Sequence, residues 1–111
     1  MKRTITIDGK DITFIATGKT PLLYKQWTGS DLFLDLNKLQ TDQSNTLEVF
    51  SRLAYVMARQ ADPTIEDMDE WLDGFGMFSL YTALPQLTDM WNVEMQSTSV
   101  SKKKANKRKG S

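Results

Sequence analysis

Only one stretch of this chain alternates with a period of two, and that limits what the rest can be. Residues 4–16 read TITIDGKDITFIA, in which Ile5 and Ile7 alternate with Thr4 and Thr6, and Ile12 and Phe14 flank Thr13. Between the two runs stands Asp8-Gly9, a pair that tolerates the positive φ values of a tight reversal. The pattern predicts a two-stranded hairpin over about 3–16 with one apolar face. A lone hairpin is marginal in water, so that face must lie on other elements.

Everything after it has helical spacing. Thr20-Pro21 reads as an N-cap followed by proline at the first helical position, opening a helix over about 21–28. Gly29 ends it. Ser30 caps a second helix, about 30–40, with Leu32, Leu36 and Leu39 on one face and Asp31, Asp35 and Lys38 turned away. Gln40–Asn45 reads as a polar loop. Thr46 then caps an amphipathic helix to about 61, with Phe50, Leu53, Ala54 and Met57 on one stripe and Glu48 placed to pair with Arg52. Asp62-Pro63 closes it, and Thr64 opens a capping box with Asp67 for a short acidic helix over about 66–74. Gly76 precedes a last helix, about 77–95, with Leu80, Leu84, Leu87 and Trp91 in register. Pro85 inside it should kink it against the carbonyl of Tyr81. The expected fold class is α+β, an N-terminal β-hairpin packed on a mostly helical body of four to five helices.

Charge divides the chain. Residues 1–101 hold all 14 acids and only 8 bases, a net of −6. The other six bases crowd into Lys102–Lys109, where there is no acid. Ser97–Ser111 has no apolar side chain larger than Val100 and cannot repay the entropy of ordering it. The expected organisation is one folded domain over 1–96 and a disordered Ser/Lys-rich tail over 97–111. Within 111 residues there is room for one core and not two.

The chain has no cysteine and no histidine. That removes disulfides, thiolate nucleophiles, the commonest general base and the commonest transition-metal ligand. Gly18-Lys19-Thr20 imitates a phosphate-binding loop, but the glycine that loop needs five positions before Gly18 is Thr13. Asp62, Glu66, Asp67, Asp69, Glu70 and Asp73 form a dense acidic cluster. A calcium loop counted from Asp67 puts Trp71 fifth and Leu72 sixth, so the pattern fails. Carboxylates at the start of a helix are stabilising against its dipole, and that suffices to explain them. The expectation is a protein that is not an enzyme and has no cofactor and no metal.

Met1-Lys2-Arg3 is followed by alternating Thr and Ile rather than an apolar run, and no window is long enough for a membrane span. A cytoplasmic protein without a membrane partner is expected. The basic tail has no aromatic residue to stack on bases. It leaves as an alternative a small nucleic-acid-associated regulator that neutralises phosphates through Lys102–Lys109, without specific base reading.

Residues 65–95 are rich in large soft side chains, among them Met68, Trp71, Phe75, Met77, Phe78, Tyr81, Met90, Trp91 and Met95. One stripe of the last helix is enough to face a core, and the surplus suits apolar partners or self-association. Trp71, Phe75, Phe78 and Trp91 are the candidate partner-binding residues.

The whole chain resembles the small tail assembly chaperones of siphophages and prophages of Gram-positive bacteria. The resemblance is carried by the KRTITIDGKDITF hairpin, the DLNKL helix, LAYVMARQADP, EWLDGFGMFSLYTALPQLTDMW and the Ser/Lys end, most strongly by Ala54–Pro63 and Trp71–Trp91. It implies a non-enzymatic escort for the tape measure protein, keeping that long apolar helical chain soluble until tail tube subunits polymerise around it. The tail tube protein and a second copy of the chain are further candidate partners. The resemblance also implies action in the host bacterial cytoplasm, absence from the finished virion, and a longer form made by programmed frameshift.

Overall fold

The computed structural model describes residues 1–80 together with Thr82, Ala83, Pro85, Gln86, Leu87 and Asp89. Strands β1 (Lys2–Ile7) and β2 (Lys10–Ile15) pair antiparallel, with Ile7 opposite Lys10, Ile5 opposite Ile12 and Arg3 opposite Phe14. The two-residue reversal is Asp8-Gly9, at φ 56° and 74°, so the positive-φ pair does what its residue types predict. On the outer face Thr4 meets Thr13, hydroxyl to hydroxyl at 3.0 Å, and the Thr6 hydroxyl donates to Asp11 at 2.7 Å. On the inner face Ile5, Ile7 and Phe14 are buried.

That inner face lies on the long helix. The helices are α1 (Thr20–Thr28), α2 (Leu32–Thr41), α3 (Thr46–Ala61) and α4 (Met68–Asp73). The described residues from Ser79 to Asp89 are also helical. This is the expected hairpin followed by helices. The centre of the molecule is α3, in which every residue from Leu53 to Ala58 is buried. A one-sided stripe cannot explain six consecutive buried positions. The hairpin, α1, α2 and α4 all pack against α3, so it has no solvent face along that length. Phe50, expected on its buried stripe, is half-exposed, and Val49 takes the inward position.

Several caps differ from the sequence expectation. Thr20 does not cap α1. Its hydroxyl accepts from the Thr17 amide and donates to Gln60 at 2.8 Å, tying the β2–α1 connection to α3. The amide of Gln60 completes this by donating to the Thr17 hydroxyl at 2.8 Å. Asp31, not Ser30, caps α2, accepting from the Leu34 amide at 3.1 Å. Its neighbour Asp35 does not turn away. It accepts from the buried Tyr24 hydroxyl at 2.7 Å and pairs with Arg52 at 3.4 Å, joining α1, α2 and α3. Burial, then that hydrogen bond, push the Tyr24 phenol well above its ordinary value. Arg52 also makes the expected pair with Glu48 at 3.4 Å. The polar loop after α2 contains a 3-10 turn, Gln43–Asn45. Thr46 makes no N-cap and instead donates to the Gln43 carbonyl.

Leu80, Ala83 and Leu87 of the last helical segment are buried. Leu84, Trp91, the Pro85 kink at Tyr81, the helix end near 95 and the tail over 97–111 lie outside the described residues.

Candidate partner-binding site

The surface rich in large side chains is organised by α4 and the turn that follows it. The helix starts two residues later than expected. Thr64 folds back on Asp62, its amide and hydroxyl both donating to one carboxylate oxygen. The N-cap is Asp67, which accepts from the amides of Asp69 at 2.8 Å and Glu70 at 3.4 Å. The Asp62 carboxyl is held below its ordinary value by the Thr64 hydroxyl and then by the Thr64 amide. The loop is latched to α3 through Tyr55, whose hydroxyl donates to the Glu66 carbonyl at 2.6 Å. Arg59 donates to the Tyr55 hydroxyl at 2.9 Å and stands 4.3 Å over the ring of Trp27.

Trp71 and Phe75 do not form a ridge on one helix, because α4 ends at Asp73 and Phe75 lies beyond its Gly74 cap. They still meet. Their rings are 4.9 Å apart, edge to face, and Trp71 also stands 6.2 Å from Tyr55. Both are half-buried against the core. Met77 and Phe78 precede the helical residues rather than opening the helix and are 79% and 70% exposed.

Two grooves flank this element. The larger, about 410 Å³, has half-buried Ile12, Ile65, Trp71 and Phe75 as its floor and exposed Glu66, Asp67 and Glu70 on its rim, with Lys10, Thr64 and Gly74 at the edges. The smaller, about 200 Å³, is lined by Leu47, Ser51, Leu72, Phe75, Gly76, Met77 and Leu80. Phe75 borders both. Of the four sequence-nominated residues, Trp71 and Phe75 therefore come together, Phe78 is exposed three residues beyond Phe75 and lines neither groove, and Trp91 lies outside the described residues.

The segment is fixed in place from a distance. Asp8, in the hairpin turn, accepts from the Gly76 amide at 2.8 Å and from the Ser79 hydroxyl. Those bonds hold its carboxyl below the ordinary value, the Ser79 hydroxyl contributing most. A side chain at position 76 would put its Cβ 2.9 Å from the Ser79 hydroxyl oxygen, which would have to turn off Asp8 to make room. Sequence reasoning missed this contact and also the exposed pair Phe33 (64%) and Leu34 (58%), which open α2 outside the leucine stripe.

Among the described residues no group of three acidic side chains is placed to hold a metal, and no helix is long and apolar enough to cross a membrane. Thr20 of the phosphate-loop mimic is engaged with Gln60, and the sheet beside it is an antiparallel pair. Comparison with protein-family models, curated proteins and solved structures gives no significant match to this chain.

Proposed function

We propose that the protein is a tail assembly chaperone that holds apolar helical segments of a phage tape measure protein. The observation that supports this best is the pair of grooves beside α4, with exposed Met77 lining the smaller one, exposed Phe78 following it in the chain, and carboxylates around the larger one. An apolar patch of that kind is an interaction surface in a soluble protein, and its charged border limits nonspecific association. Apolar helices seat naturally in such grooves, with side chains one turn apart as anchors. The resemblance of the hairpin, Ala54–Pro63 and Trp71–Trp91 to the chaperone family supplies the partner's identity. On this reading the chain acts in the host bacterial cytoplasm, leaves the tail before it is finished, and has the tail tube protein as a further partner.

Co-expression with a siphophage tape measure protein, taken from the genome that encodes this chain, tests the proposal. A tape measure chain that is soluble with this protein and aggregates without it supports the proposal. Equal aggregation in both cases contradicts it.

A further inference from the structure

We infer that in the chain free of its partner the larger groove beside α4 is a docking surface for this chain's own basic segment, Lys102–Lys109, which a tape measure segment would have to displace there. A cluster of carboxylates alone would be a solvated face. Here Glu66 and Glu70 stand over an apolar floor that includes Trp71 and Phe75. That combination suits lysine and arginine side chains: carboxylates attract the charged head, and aromatic and aliphatic surface covers the methylene stem. The same chain already seats a guanidinium on an indole, Arg59 over Trp27 at 4.3 Å.

Charge complementarity selects the occupant. The tail segment carries six bases and no acid, while the rim carries Glu66, Asp67 and Glu70 against a single base, Lys10. Reach is sufficient. The Gln86 carbonyl accepts from Arg3 at the open end of the hairpin, opposite Phe14. The groove lies toward the turn end, at Ile12 and Lys10, a displacement along the strands of about 13 Å. From Asp89 to Lys102 the chain spans up to about 43 Å extended. Helix as far as Met95 would first carry it about 14 Å further from the groove, and the residues from Met95 to Lys107 would then span about 40 Å against roughly 27 Å to return. Tethering of this kind raises the local concentration of the segment to the millimolar range. Exposed charges bind weakly one at a time, so the contact is salt-sensitive and adds little to the stability of the fold.

The absence of cysteine makes the test direct. Full-length Ser111→Cys carries one nitroxide label, and paramagnetic broadening of backbone amides is read at low salt. The expected result is selective broadening over residues 64–75, lost in about 1 M salt, where the screening length contracts to about 3 Å. The same loss is expected in Glu66→Gln/Glu70→Gln, whose unchanged β1 and β2 amides show that it is folded. Absent or uniform broadening overturns the inference, as does selective broadening that survives both salt and the double substitution. Mixing isotope-labelled chain without nitroxide and nitroxide-labelled chain without isotope tests the other occupant. Broadening of residues 64–75 in that mixture assigns the groove to the tail of a second copy and overturns the intramolecular contact.

Discussion

Asp8 serves two structures at once. Its backbone takes the left-handed conformation the hairpin reversal needs, and its carboxylate holds Gly76 and Ser79 at the start of the last helical segment. Because its folded pKa is depressed, the stability it contributes is present above the unfolded carboxylate range and lost as pH falls through the folded value. Asp8→Asn keeps a residue tolerant of positive φ and removes the charge. We expect it to lower the urea midpoint near pH 7 and to lose less than the parent when pH is brought to roughly 3. Asp62, also depressed, remains in both proteins, so the difference isolates Asp8. Gly76→Ala should destabilise as well, because its Cβ would crowd the Ser79 oxygen. The turn was legible because Asp8-Gly9 is a local signal. The carboxylate's partners were not, since they lie 68 and 71 residues away. Asp35 misled for the same reason. A charge among polar neighbours reads as exposed until Tyr24 and Arg52 are brought to it by the fold.

Element by element, period and type were readable and ends were not. The hairpin and α3 fall where alternation and helical spacing put them, whereas the true caps of α2 and α4 are Asp31 and Asp67, one and three residues after the expected Ser30 and Thr64. Several polar residues near each start can accept an amide, and packing chooses among them. The burial of α3 on all sides over Leu53–Ala58 was hidden because a stripe read along one helix does not count how many neighbours surround it. Phe14, fully buried between the hairpin and α3, should cost about 3–5 kcal/mol when changed to alanine. Denaturant unfolding measures this. Trp71 and Phe78, nominated together, should separate. Trp71→Ala loses ring contacts with Tyr55 and Phe75 and should fall toward the lower end of about 3–5 kcal/mol. Phe78→Ala, at 70% exposure, should cost clearly less than Trp71→Ala. Equal losses would place Phe78 in the core and leave Met77 as the exposed apolar side chain of that turn.

At the scale of the whole molecule, a hairpin and helices around α3 leave a flank at α4 where core aromatics reach grooves that open to solvent. Composition foretold the surplus of large side chains but not which of them reach the surface, because that depends on where α4 ends and the chain turns. The −6 of residues 1–101 and the +6 of Lys102–Lys109 cancel in the total, so salt should act on how the two parts meet rather than on the fold. Melting temperature should therefore change little between low and moderate salt. The chaperone proposal predicts that the exposed side chains beside the grooves matter for the partner and not for folding. Its most direct test is the yield of soluble tape measure protein on co-expression with the parent chain or with Phe78→Asp, after both are shown to melt alike. Loss of soluble tape measure protein with Phe78→Asp is the predicted result. Undiminished yield with that variant, or no gain in solubility from the parent chain, would contradict it.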